Sequence, residues 1–251
     1  MIKDSLYFNY DGINSAKYGL MNVNYSSGLF EEPFLPEQEI YTEQIPGRND
    51  LYYLGNKQLP IQINLMFYLE KGIEDKIAKW LFQEYYKPLI FSNAPNRIYY
   101  CMYIGETNLL HTCNKDGLIQ LSMRNIDSYA RSRFYKTNIY RSVKKLNISN
   151  LGDVDIFPDI ELKILEDMST FTIVNESNNT LLKLINLNAG DIISINLSHK
   201  IVEAINNNVK IYRYANMVLN NFKLGIGNNR LYINEHGYDW KMRLKYLYKF
   251  I

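Results

Sequence analysis

The side chains able to bind a metal or act as nucleophiles are few in this sequence, and their spacing limits what they can do. Cys101, His111 and Cys113 form a single cluster of thiol and imidazole. A structural zinc site needs four such ligands at a recognised spacing, and no fourth lies near them, so no metal site is expected. His199 and His236 stand apart in turn-like contexts. Glycoside hydrolysis needs two carboxylates at a controlled separation, one of them with a raised pKa. Glu161, Glu166 and Asp167 are the nearest candidates, yet they fall on the polar side of a strand and the turn after it, where acids are ordinary surface residues. The chain contains no G-x-S-x-G elbow, no P-loop and no G-x-G-x-x-G following a strand. No catalytic residue, metal or cofactor is assigned, and the chain reads as a non-enzyme.

One charge pattern does attract a functional reading. Glu31, Glu32, Glu37, Glu39 and Glu43 fall in a stretch without a basic residue, broken by Pro33 and Pro36. A loop this acidic beside a passage for DNA would repel phosphates, as like-charge fields do; the plainer alternative is an exposed loop. The chain as a whole has a net charge of only +2 and no basic run longer than Lys144-Lys145. That excludes the electrostatic footprint of a tight, sequence-independent nucleic-acid binder.

These residues must be held by strands. The chain has 22 tyrosines, and asparagines recur in runs such as Asn206 to Asn208 and Asn228-Asn229. Tyr and Ile suit a pleated, half-buried surface, while Asn tolerates the backbone of tight turns; an AT-rich genome would enrich the same residues. From Leu59 to Leu69 every odd position is apolar, which predicts a long strand with one buried face. The spacing of Ile73, Ile77, Trp80, Leu81 and Tyr85 predicts a helix of about four turns over Gly72 to Tyr86, stopped by Pro88. Strands are predicted again at Pro88 to Phe91, Ile98 to Ile104 and Leu118 to Arg124. The pattern breaks up between Asp127 and Ser149, which places a domain boundary nearest Lys145. Beyond it, short β signals at Asp159–Leu165, Phe171–Val174, Thr180–Ile185, Asp191–Leu197, Lys200–Ile205, Phe222–Leu224, Arg230–Ile233 and Trp240–Tyr248 predict a β-sandwich. Gly225 to Asn229 reads as a hairpin turn. The opening residues carry Asp4 and no apolar run, and no stretch approaches a membrane span, so neither an export signal nor membrane insertion is expected. Two cysteines without an export signal fit a reducing compartment.

Whole stretches resemble a known family. FNYDGINSAKYGL at the start, Gln44-Ile45-Pro46-Gly47-Arg48-Asn49-Asp50 leading to Tyr52-Tyr53-Leu54-Gly55, and the helix with Trp80 before Pro88-Leu89-Ile90-Phe91 are similar to siphophage distal tail (Dit) proteins. The similarity continues through Pro95 and Tyr99 to Tyr103, and in the second half through ISNLGDVDIFPDIELKI, LNAGDIISINLSHKIV and FKLGIGNNRLYI. The Gly that usually follows the acidic position of the Pro-Gly-Arg turn is absent here. The resemblance implies a mainly β fold: an N-terminal β-barrel-like, tail-tube-like domain with one helix (residues 1–145) and a C-terminal galectin-like β-sandwich (146–251). It further implies a ring of six at the tail tip of a virion assembled in the host bacterial cytoplasm. Such a ring joins the tail tube protein to a tail-associated lysin or fibre and leaves a channel for DNA.

A ring needs two different patches on each subunit. Tyr and Arg are enriched at interface centres, so Pro46, Gly47, Arg48, Tyr52, Tyr53, Tyr99, Tyr100 and Tyr103 are the interface candidates. The acidic loop is the candidate for the channel. From a different class of function, the sandwich is expected to act as a carbohydrate-binding module in host attachment if it is not part of a hub.

Overall fold

The computed structural model describes residues 5–23, 35–69, 72–111, 117–211 and 217–251, without the side chains of residues 106 and 107. The chain divides into two compact units, Met1–Arg133 with Ile251, and Phe134–Phe250.

The first unit contains β1 (Phe8–Tyr10), β2 (Ile13–Asn14), β3 (Met21–Asn22), β4 (Gln38–Gln44), β5 (Leu51–Gln58) and β6 (Gln62–Leu69). After α1 (Glu74–Leu81) come β7 (Lys87–Phe91), β8 (Arg97–His111), β9 (Gly117–Asn125) and β10 (Ala130–Ser132). One sheet runs in the order β2-β1-β7-β8-β9-β6-β3, with β10 paired to β8. Its centre follows from period-2 alternation. Ile63, Leu65, Phe67 and Leu69 of β6 are buried, and Ile63, Leu65 and Phe67 lie opposite Met123, Leu121 and Ile119 of β9. β8 extends well past the predicted Ile104, continuing through an irregularity between Ile104 and Asn108.

The helix is present but shorter than the predicted Gly72 to Tyr86. It buries Ile77, Trp80 and Leu81, and Phe82 already has an extended backbone. Phe82 and Tyr85 are 65% and 67% exposed, so the apolar spacing beyond Leu81 meets no core. Pro88 does not stop the helix; it lies inside β7. Trp80 is what ties α1 to the sheet. Its indole stacks on Phe8 at 5.7 Å, and its Nε1 donates to the carbonyl of Tyr10 at 3.0 Å, which satisfies the polar edge of a large buried ring.

The second unit begins with β11 (Lys136–Arg141), β12 (Lys145–Asn150), β13 (Asp159–Ile164), β14 (Met168–Asn175), β15 (Thr180–Leu187) and β16 (Ile192–Asn196). It continues with β17 (Ile201–Asn206), β18 (Val209–Ile211), β19 (Met217–Asn220), β20 (Gly227–Ile233), β21 (Trp240–Tyr246) and β22 (Lys249–Phe250). Two sheets, β11-β21-β13-β16-β17-β18 and β12-β20-β14-β15-β19, face each other across one apolar core. This is the predicted sandwich. Trp240 sits in that core, edge-on to Phe171 at 5.1 Å, with its Nε1 donating to the carbonyl of Glu235. The division of the chain falls at Arg133/Phe134 rather than at Lys145, because β11 pairs along its whole length with β21.

Gly225 to Asn229 is not a hairpin turn. The strand before it pairs with β15, whereas β20 pairs with β12 and β14. Asn229 lies within β20, fully buried. Its Nδ2 donates to the carbonyls of Gly225 at 2.8 Å and Gly227 at 3.1 Å, while its Oδ1 accepts from the Gly225 amide at 2.8 Å and from Asn175 Nδ2 at 2.9 Å. One buried amide thus holds the crossover beside the Ile156–Leu224 bridge. Asn229→Ala leaves several buried groups without partners, so it should lower the unfolding free energy of the sandwich by about 2 kcal/mol. Urea unfolding of the full chain measures this, and a loss below about 0.5 kcal/mol, the range of an ordinary surface change, would contradict it.

Candidate functional site

β4 and β5 form a two-stranded sheet that pairs with no other strand among the described residues. Every residue of both strands is exposed except Gly55, which is half-buried. The connection starts as a tight turn. The Arg48 amide donates to the carbonyl of Ile45 at 3.1 Å, and Gly47 lies at φ 85°. Pro at the second position and Gly with positive φ at the third is the type II arrangement, which Cβ-bearing residues disfavour at the third position. Register runs from Gln44↔Leu51 to Gln38↔Gln58, with an irregularity between Tyr41 and Thr42 that leaves Leu54 unpaired.

Alternation sorts this arm into two chemically distinct faces. Ile40, Thr42 and Gln44, opposite Asn56, Tyr53 and Leu51, make an apolar and amide face. Glu39, Tyr41 and Glu43, opposite Lys57, Gly55 and Tyr52, make an acidic and phenolic face. On the second face the Tyr41 hydroxyl donates to Glu39 Oε2 at 3.0 Å, a bond that pushes the phenol pKa above its ordinary value. Of the acidic stretch, Glu39 and Glu43 therefore share a face, Glu37 precedes β4, and Glu31 and Glu32 lie outside the described residues.

Pro46, Gly47, Arg48, Tyr52 and Tyr53 are thus brought together on one arm. The tyrosines of β8 are not part of it. Tyr99 is buried in the core of the first unit, edge-on to Phe91 at 6.1 Å, so this interface candidate is a packing residue. Tyr100 is half-buried beneath the Arg131 guanidinium. Tyr103 lines an apolar groove of about 480 Å³ with Leu81, Phe82, Leu109 and Leu121. Sequence reading missed this groove, because it ended the strand at Ile104, short of Leu109, and the lining of α1, β8 and β9 comes together only in the folded unit.

Elsewhere the candidates for chemistry stay apart. Cys101 is buried, which pushes its thiol pKa up, away from the thiolate that a metal requires. His111 is exposed, Cys113 lies outside the described residues, and no group of three metal-ligating side chains occurs among the described residues. Glu161 pairs with Arg243 at 3.4 Å, Glu166 accepts from the Asp239 amide, and Asp167 accepts from the Ala189 amide. His199 and His236 are exposed in turns, each beside an Asn oxygen.

A family model described as a phage tail protein N-terminal domain matches residues 3–127. An SPbeta prophage-derived protein of Bacillus subtilis (strain 168), YomH, is 31% identical over the whole length of both chains. The chain belongs to this phage tail protein family. Its fold is that of SPP1 Dit, described as a paradigm of the hub adsorption apparatus in phages infecting Gram-positive bacteria. The likeness has a TM-score of 0.69 at 14% identity and covers 96% of the tail protein and 98% of Dit. A chain of the phage p2 baseplate in its activated conformation is a looser match, with a TM-score of 0.43 at 8% identity, covering 95% and 97%. The resemblance to distal tail proteins read from the sequence therefore holds for the fold, within a family of phage tail proteins.

Because the arm of the tail protein packs on no core among the described residues, its apolar residues should matter little to the stability of the isolated chain. Leu51→Ser with Tyr53→Ser should change the urea unfolding free energy by less than about 0.5 kcal/mol. A loss of about 2 kcal/mol or more, typical of truncated core side chains, would show that the arm is packed in the free chain.

Proposed function

We propose that this tail protein is a structural hub of the tail tip: a ring of six copies that joins the tail tube protein to a tail-associated lysin or fibre and leaves a channel for DNA. The observation that carries this reading is the unsupported arm. A lone two-stranded hairpin is at best marginally stable in water, and its open edges invite a further strand. A neighbouring copy supplies both what the edges and what the apolar face of Ile40, Leu51 and Tyr53 lack. A ring closes through heterologous contacts, in which the arm of one subunit meets a different surface of the next.

The two faces of the arm then acquire separate tasks. The apolar and amide face packs on the neighbour, and the face bearing Glu39 and Glu43 lines the channel, where carboxylates keep DNA phosphates from adhering. Pro46, Gly47 and Arg48 shape the tip, and Tyr52 and Tyr53 fall on opposite faces. No step of this role requires catalysis, a cofactor or a membrane.

Electron-microscopic class averages of the purified full chain, with multi-angle light scattering, test the reading. The wild-type chain should give closed rings of six, and Leu51→Ser with Tyr53→Ser should give folded monomers. A wild-type chain that stays monomeric at high concentration, or a double variant that still forms rings, would overturn it.

A further inference from the structure

Strand alternation in the second unit puts a defined set of side chains on the outward face of the six-stranded sheet. The inward set of β21, Trp240, Met242 and Leu244, is buried, so Lys241, Arg243 and Lys245 point out; β13 alternates the same way and presents Asp159, Glu161 and Lys163. The register aligns these residues into rungs that cross the strands. In one rung Arg141 of β11 lies directly opposite Lys241, and Lys241 lies directly opposite Lys163. Directly opposed residues of antiparallel strands have Cα atoms about 4.5–5.5 Å apart, and like charges so placed destabilise the pairing. Arg141 is relieved by Asp239 at 2.9 Å. Neither Lys163 nor Lys241 has a carboxylate within salt-bridge distance among the described residues.

The rung is also concave. A groove of about 350 Å³ is lined by Ile139, Arg141, Glu161, Lys163, Lys241 and Arg243, four cations against one carboxylate. Along the same face it meets a second groove of about 320 Å³, which shares Glu161 and Arg243 and adds Asp159, Ser194, Asn196, Glu203 and Lys245. The first groove is a place for an anion. The second is rich in acceptors for hydroxyl groups, and its carboxylates Asp159, Glu161 and Glu203 outnumber Arg243 and Lys245, so it favours a neutral polyol over a further phosphate. The Tyr135 ring lies 4.1 Å from Lys245 Nζ beside the second groove, but the carboxylates Asp159, Glu161 and Glu203 there oppose the backbone of a nucleic acid.

We infer that this face binds a phosphate-linked polyol chain, with a phosphodiester on Arg141, Lys163, Lys241 and Arg243 and the adjoining hydroxyls on Glu161, Ser194, Asn196 and Glu203. The opposed lysines are then a strain held in the free sheet and relieved by the ligand. The site does not depend on ring formation, and failure of either reading leaves the other standing.

The test is calorimetric titration of the full chain at about 0.15 M salt with a short poly(glycerol phosphate) oligomer. Single-stranded DNA of equal charge, polyglutamate and a phosphate-free polyglycerol serve as comparisons. The polyol phosphate should bind saturably and more tightly than all three. Lys163→Ala with Lys241→Ala should weaken it by about tenfold or more, while Lys145→Ala on the other sheet should not. Lys241→Glu should abolish binding yet raise the thermal midpoint of the sandwich, by about 2 °C, as it turns two repulsive pairs attractive. No binding, equal binding of DNA or polyglutamate, equal binding of polyglycerol, or indifference to the lysine changes would overturn the proposal. So would a Lys241→Glu chain that is folded but binds as the wild type does.

Discussion

A two-stranded ribbon in water exposes its backbone edges and both of its faces, and nothing within β4 and β5 compensates for that. Each of the two units has a buried core: Trp80 locks the helix to one sheet, and Trp240 fills the space between the two sheets of the other. The arm is different. Its residues Ile40, Leu51, Tyr53 and Leu54 are more than half exposed, and among the described residues the hairpin joins no other strand. A surface of this kind is retained where something covers it, and that constraint links a fold to an assembly. The membership of a phage tail protein family fits it, since the members of such a tail act through contacts with one another.

Charge is organised by face rather than by domain. A net charge of +2 conceals Glu39 and Glu43 together on one side of the arm and an Arg141-Lys241-Lys163 rung on the outer sheet of the sandwich. Neither segregation can be seen from composition, because each depends on which residues lie opposite across a register. The acidic stretch in sequence also overstated the arm's charge: only part of it lies in β4, and in β4 it alternates with Ile40 and Thr42.

Strands with a buried face were legible because burial imposes a strict alternation. Leu118 to Arg124 and Asp159 to Leu165 appear where the pattern placed them, and the strand predicted over Leu59 to Leu69 is present from Gln62. The helix was overextended because Tyr85 keeps helical spacing without reaching the core. The boundary was set late because β11 is an edge strand whose outward residues Thr137, Ile139 and Arg141 give no clean apolar period. Asn229 was read as part of a turn because its role, a set of buried side-chain hydrogen bonds to Gly225, Gly227 and Asn175, exists only in the folded unit. Of the interface candidates, those in the Pro-Gly-Arg turn and on β5 share one arm, whereas Tyr99 proved to be core, since a tyrosine in a strand carries no mark in sequence of the face it takes.

Amide hydrogen exchange across residues 38–58, compared between the dilute full chain and the same chain in assembled tails, tests most directly whether the arm depends on a neighbour. The arm should exchange at nearly the rate of an unstructured peptide in the dilute chain and be strongly protected on assembly, while β6 and β21 are protected in both. Equal protection of the arm in the two states, or an arm still unprotected within the tail, would contradict the account.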